Sequence, residues 1–472
     1  MVTRPSGGQD LGEAHRRDPS RWLLVGARIL VFATWLGVVS ALMVTDLWDE
    51  SRGLVLADQL DFVELVRTTA IQESTGGTVL FRPLPFVVFA AVAESLESFE
   101  LVWRAMRGIS AACVLASALL LAHAVQRFGR RDAILGMIVE VAVLWSGAAI
   151  ITASWFANLF DAMALLGVAL GTAALARGRG LAAGLAVGAG IFCKEIALVA
   201  LPVIASLGWT GIVPRRETRH AVVVAGTSAV IYLMLRALIV PPGSVSDVHQ
   251  LTVHGFLTAL VRLPETVWWQ VADVPVPMVS TIMSLVVVAT MRSWRLRVGV
   301  IAVWVVSSAM YGGLVHLGPS PLLSPDNFIG RLYLVPAALL ILLIGVGGRR
   351  WVLVLVLVPL AWGASTTVRR HLRVQSAYVT VYAAAQATTE RPMRVDCRLY
   401  SEPFHHRLRG VEFGRFEDAA WQLRLDGTLV RRPPRDEPTS GAGRVGNDAR
   451  EQDPTAPATP RPAPGDGARG GD

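Results

Sequence analysis

Apolar residues recur along this chain in runs of about 18 to 22, the length of α-helix that crosses the roughly 30 Å hydrocarbon core of a bilayer. The runs predict helices at about 23 to 43, 106 to 125, 133 to 151, 158 to 176, 180 to 193, 195 to 209, 220 to 240, 274 to 291, 298 to 316, 328 to 347 and 351 to 368. With about eleven crossings, Arg127/Arg130/Arg131, Arg177/Arg179, Arg215/Arg216/Arg219, Arg292/Arg295/Arg297 and Arg349/Arg350 all fall on the cytoplasmic side, together with Arg16, Arg17 and Arg21. The run from 180 to 209 must then turn back on itself, because one long helix would carry Arg215, Arg216 and Arg219 outside. The stretch after Phe81-Arg82-Pro83 must not cross, and Glu94, Glu97 and Glu100 near its end suggest an amphipathic helix lying along the outer interface.

The expected fold is an all-α polytopic membrane protein. Residues 1–22 form a cytoplasmic tail and 23–368 a transmembrane domain, with an outer acidic loop and interfacial helix over 44–105. Residues 369–436 alternate apolar and polar positions in RVDCRLY and WQLRLDG, which predicts a small extracytoplasmic α/β appendage. Residues 437–472 are Pro, Gly, Ala, Asp and Arg with few apolar anchors and are expected to be disordered.

Composition agrees with a membrane class. Hydrophobic residues make up 53% of the chain and charged residues 17%, and the mean hydropathy is +0.49. The net charge of +8 reflects arginines in short loops beside the spans, so it points to topology and not to a nucleic-acid partner. Cys113 and Cys193 fall within spans and Cys397 stands alone in the tail, which leaves no evident disulfide.

Polar residues inside or just outside the spans carry the candidate chemistry. Lys194 and Glu195 interrupt GLAVGAGIFCKEIALVALPVIA, and a charge at the bilayer centre costs about 2.5 to 3.5 kcal/mol even on the lenient insertion scale, so the pair needs a wet or paired location. The loop from about 44 to 82 is net acidic, with Asp46, Asp49, Glu50, Asp58, Asp61, Glu64 and Glu73 against Arg52, Arg67 and Arg82. Asp49-Glu50, framed by Trp48 at the membrane surface, is the candidate general base; Asp58, Asp61, Glu64 and Glu73 read as solvated charges. On the same side lie Asn158 and Asp161, at the start of the fourth span, and Trp268-Trp269, an interfacial belt or a sugar platform. His249 and His254 are five apart, which does not align them as metal ligands on a helix. SPDNFIGRLYLVPAALL adds Arg331 and Tyr333, where the arginine either binds an anion or snorkels.

Taken in order, Asp49-Glu50 after the first span, FRPLPFVVFA, WRAMRGISA, GIFCKEIALVALP and GRLYLVPAALL resemble the GT-C superfamily of integral-membrane glycosyltransferases, in particular the protein O-mannosyltransferase branch and its bacterial relatives. The resemblance implies a polyprenyl-phosphate-sugar donor and an extracytoplasmic protein or glycan acceptor, in a bacterial-type inner or plasma membrane. The sugar would be mannose or another hexose or pentose. It places Asp49, with Glu50 beside it, at the catalytic acidic position. Arg82, Lys194, Glu195, Arg331 and Tyr333 would hold the lipid phosphate, and Asn158, Asp161, Trp268 and Trp269 would lie toward the acceptor. No cofactor is expected, and the pattern leaves a divalent metal open. The His-Pro that often ends the family's third span is missing from WSGAAIITASWFANLFDA, which implies an altered acceptor side. A transporter or flippase-like protein for a lipid-linked or anionic substrate is the alternative, since carriers also build central sites from broken helices.

Overall fold

A computed structural model describes residues 19–45, 82–96, 99–129, 132–154, 159–239, 252–268, 277–312, 334–348, 350–388, 392–396, 411–414, 416, 419–424 and 428–432. The expected acidic loop from 46 onward, Asp49, Glu50, Asn158, Trp269, Arg331, Tyr333, Cys397 and the tail from 437 lie outside the described residues.

The described elements are α1 (Pro19–Thr45), α2 (Pro83–Ser95), α3 (Phe99–Phe128), α4 (Ala133–Leu144), α5 (Gly147–Ser154), α6 (Leu159–Ala176) and α7 (Gly180–Cys193). A 3₁₀ turn (Glu195–Val199) leads into α8 (Ala200–Trp209), α9 (Arg215–Ile239), α10 (Val253–Trp268), α11 (Pro277–Thr290), α12 (Trp294–Gly312), α13 (Leu334–Gly347) and α14 (Arg350–Ala387). Among the described residues four helical stretches are long and apolar enough to cross a membrane: Trp22–Leu42, Arg104–Phe128, Leu159–Ala176 and Arg215–Ile239. The protein is thus a mostly helical membrane protein; the eleven crossings remain an expectation of the arginine pattern.

Side-chain contacts order the helix ends. Arg177 Nη2 lies 3.3 Å from His123 Nε2, so the C-termini of α3 and α6 meet. The Gly180 N–H donates to Glu217 Oε2 at 2.7 Å, which brings the starts of α7 and α9 to the same place. Gly208, near the end of α8, sits against Thr218. Arg295 donates to the Trp209 carbonyl at 2.6 Å, and the Arg292 N–H to the Gly347 carbonyl at 3.0 Å. One end of the bundle therefore collects Arg127, Arg177, Arg179, Arg215, Arg216, Arg219, Arg292 and Arg295. Because α7 leaves this end and α8 returns to it, the chain reverses between them, at Lys194.

Glycine makes that reversal compact. Gly180, Gly184 and Gly188 recur every four residues and so share one face of α7, against α9. A Cβ on Gly184 would stand 2.6 Å from Val224 Cβ, and one on Gly188 2.4 Å from Ser228 Oγ. Across the hairpin, a Cβ on Gly167 would lie 2.7 Å from Gly190 Cα and 2.8 Å from the Ala186 carbonyl. With no hydrophobic drive between helices in lipid, such close backbone approach is what holds spans together. α13 is buried along nearly its whole length and forms the centre of the bundle.

Three elements depart from the sequence pattern. The span expected at 133 to 151 is two helices, α4 and α5, bent by 59°. The bend leaves carbonyls without helical partners, a cost that membrane interiors do not tolerate. Here Trp35 Nε1 donates to the Leu144 carbonyl at 2.7 Å and Ser146 Oγ to that of Val143 at 2.9 Å. α2 is apolar on every face until Glu94 and buries Pro85 and Phe89, so it is not the amphipathic helix expected there. The last helix does not stop at 368, where the appendage was expected to begin; it continues to Ala387. Beyond it β1 (Met393–Asp396), β2 (Val411–Gly414), β3 (Trp421–Leu423) and β4 (Leu429–Arg431) form one sheet in the order β2-β1-β3-β4. β1 is parallel to β2 and β3, β4 is antiparallel to β3, and Asp396, fully buried, pairs with Arg432.

The glycine seam gives a direct test. Gly167→Ala should lower stability by about 1 to 3 kcal/mol, since the atoms facing the new methyl are backbone and cannot swing away. Gly26→Ala, where a Cβ meets nothing within 4 Å, should be neutral or slightly stabilising. Thermal unfolding of the detergent-solubilised protein measures both, and equal melting temperatures for the two variants would reject the close packing.

Candidate functional site

Lys194 is the one residue between α7 and the 3₁₀ turn, and its backbone is extended, at φ −163° and ψ 135°. The break is not left open: the Lys194 N–H donates to the Gly190 carbonyl at 2.9 Å, and the Ala197 N–H to the Lys194 carbonyl at 3.1 Å. The extended step sends neighbouring side chains to different partners. Lys194 Nζ reaches Asp161 Oδ1 at 2.6 Å, in the first turn of α6. Glu195 Oε1 lies 3.4 Å from Arg82 Nη2, and its Oε2 accepts from the Tyr232 hydroxyl at 3.3 Å. The adjacent opposite charges of the sequence are therefore not each other's partners.

The two ion pairs differ in kind. Lys194 and Asp161 are 6% and 2% exposed, a dry and short pair, whereas Arg82 and Glu195 are 14% and 31% exposed and further apart. Aromatic rings frame the second pair. Arg82 Cζ stands 5.2 Å from the centroid of Phe160, Phe86 meets Phe160 edge-on at 5.5 Å, and Phe192 meets Tyr232 edge-on at 5.7 Å. Arg82 Nε is buried with no hydrogen-bond partner among the described residues. The geometry makes Lys194–Asp161 the fixed pair and Arg82–Glu195 the pair open to a ligand.

Depth follows from helix rise. Glu217 marks the arginine end of α9 and Tyr232 meets Glu195, which puts the cluster about 22 Å from that end at 1.5 Å per residue. α13 ends at the arginine end, where the Gly347 carbonyl accepts from the Arg292 N–H, so its first residue, Leu334, lies about 20 Å from that end. α1 runs beside α4 in the same direction, tied by Arg28–Glu140 at 3.2 Å and by Trp35 to Leu144, so Thr45 leaves the bundle at the far end too. At a similar depth α3 buries Arg107 and Ser110, and α12 buries Ser307 and Ser308. These three serine hydroxyls have no hydrogen-bond partner among the described residues, which is polar surface of the kind a ligand or water satisfies.

Of the residues expected at the site, the structure brings Arg82, Lys194 and Glu195 together. It joins Asp161, expected on the acceptor side, to Lys194. Trp268 ends α10, and its side chain lies outside the described residues. Tyr232, Phe160 and Phe192 were not anticipated. For Tyr232 a signal existed, a hydroxyl deep in an apolar span, but its partner lies 37 residues away.

No protein-family model matches the chain, and no curated protein matches it. Among solved structures, the apo-state crystal structure of ArnT from Cupriavidus metallidurans aligns over 81% of this chain and 83% of that one. The identity is 17% and the TM-score 0.36, too loose a superposition to define a shared fold.

The unequal ion pairs predict unequal costs. Lys194→Met leaves Asp161 buried and unpaired and should destabilise by about 3 to 5 kcal/mol, while Lys194→Met with Asp161→Leu should recover most of the loss. Glu195→Gln, at the more exposed pair, should cost about 1 kcal/mol or less. Denaturation in detergent ranks the three, and a Glu195→Gln loss as large as that of Lys194→Met would reverse the assignment of fixed and open pairs.

Proposed function

We propose that this chain is a membrane glycosyltransferase of the GT-C type, which moves a sugar from a polyprenyl-phosphate donor to an acceptor hydroxyl outside the cytoplasm, with inversion. The observation that carries the reading is the Arg82–Glu195–Tyr232 cluster beside Lys194–Asp161, at the end of the bundle opposite the arginine loops. Positive loops mark the cytoplasmic side, so the cluster faces out. The motif order from Asp49-Glu50 to GRLYLVPAALL supports the same class.

In this mechanism Asp49, assisted by Glu50, takes the proton of the acceptor hydroxyl as its oxygen bonds to the anomeric carbon. The bond from that carbon to the lipid phosphate oxygen breaks on the opposite face, and the electron pair leaves with the phosphate. Arg82, with Arg331 and Tyr333, meets the charge that grows there, a guanidinium being suited to two-point contact with phosphate. Glu195 and Tyr232 orient Arg82. Lys194, bound to Asp161, fixes the apex of the hairpin and adds positive potential. Asn158, Trp268 and Trp269 border the acceptor side, while Asp161 is held by Lys194.

Incubation of the purified protein with radiolabelled polyprenyl-phosphate mannose or arabinose and an envelope acceptor fraction tests the reading. Label should move to acceptor, and Asp49→Asn should slow transfer about 100-fold. Label that crosses vesicles without forming a new glycosidic bond would favour the carrier, which the broken hairpin also fits. For orientation, with Cys397 replaced by Ser, a cysteine at exposed Ser95 should react with an impermeant maleimide in whole cells and one at exposed Arg179 should not. The reverse labelling would turn the protein over.

A further inference from the structure

Among the described residues the charges of the site do not cancel. Arg236 follows Tyr232 by four residues and so shares its face of α9. Tyr232 donates to Glu195 Oε2, so Arg236 stands one turn of α9 beyond that hydrogen bond. Among the described residues no carboxylate stands within ion-pair distance of it. Among the described residues Lys194, Arg82 and Arg236 are three positive charges against Asp161 and Glu195, two negative ones, an excess of one.

The place of that excess charge is informative. From Arg215 to Arg236 the helix rises about 31 Å, close to the thickness of the hydrocarbon core. Arg236 therefore stands at the boundary where lipid phosphates lie, on the side of the membrane away from the arginine loops. α9 there turns Val230, Leu233, Met234 and Leu238 outward, a lipid-facing surface, while Arg236 itself is half-buried. An arginine that serves only as an interfacial anchor has no need of inward neighbours. This one lies a single helical turn from a hydroxyl bound to Glu195, a carboxylate that already holds the cation Arg82.

We propose that Arg236 is the first contact for the phosphate headgroup of a membrane-lipid substrate that reaches the site sideways from the outer leaflet, with Arg82 behind it as the second. The inference rests on the reading of the site as one that takes a lipid phosphate. An anion arriving there meets a cation at the lipid boundary that, among the described residues, has no carboxylate at ion-pair distance, which neither Arg82 nor Lys194 provides.

The test is binding of undecaprenyl phosphate to the purified full-length protein in nanodiscs, with undecaprenol and phosphatidylglycerol as controls. Arg236→Gln should weaken undecaprenyl phosphate binding about tenfold, as expected for one charge-assisted contact, and leave undecaprenol unchanged. Arg236→Lys should keep more of the affinity, which separates lost charge from lost fold. If Arg236→Gln binds within about twofold of the wild type while Arg82→Gln does not, the assignment of Arg236 fails and the reading of the site stands. An equal loss for phosphatidylglycerol would make Arg236 a general lipid anchor and also overturn the proposal. If the wild type prefers undecaprenyl phosphate no more than undecaprenol, the lipid-phosphate reading falls, and Arg236 with it.

Discussion

One extended residue sets the geometry on which the site depends. Had Lys194 continued the helix, its side chain and that of Glu195 would project about 100° apart from one cylinder, and α8 would run on through the membrane. The extended step reverses the chain and sends the ammonium to α6, while the next carboxylate faces Arg82 and Tyr232. The buried Lys194–Asp161 pair fastens the reversal. Its strength lies less in net stability than in the cost of losing either partner, because a lone charge at that depth has nothing to replace it.

The reversal also needs close packing, and the small residues supply it. The face of α7 that carries Gly180, Gly184 and Gly188 lets α9 approach until only a hydrogen would fit, which sets the depth at which Tyr232 meets Glu195. At the other end the Glu217 carboxylate takes the Gly180 N–H, an orphan donor at a helix start. A cap at one end and a hydroxyl–carboxylate bond at the other thus fix the same two helices, and the polar cluster stands where both constraints are met.

Much of this was legible in the sequence, and the illegible part has a common cause. Lys194 and Glu195 announce a polar site because charges are rare in apolar runs, and the arginines of neighbouring loops require a reversal between 180 and 209. Partner choice was not legible: Asp161 lies 33 residues from Lys194 and Arg82 lies 113 from Glu195, separations over which no local spacing operates. The bend at Trp145-Ser146 was hidden because both flanks are apolar, and its Leu144 carbonyl is satisfied by Trp35 from a distant helix. For α2, acidic residues near its end suggested a polar face that the packed segment does not have. RRHLR after 368 marked the end of a hydrophobic run, but arginine and leucine are good helix formers and the helix continues through them.

That continuation has a mechanical meaning. α14 is 38 residues long, about 57 Å along its axis, against roughly 30 Å of hydrocarbon. β4 packs back on it, and Val381 and Ala385 are buried near its end. The sheet is therefore geared to the membrane bundle through a shaft and not hung on a tether. Each residue added to or removed from the shaft beyond the hydrocarbon would shift the sheet by about 1.5 Å and swing it by about 100°. The length of α14 is thus a setting of both reach and bearing, and the two cannot be adjusted separately.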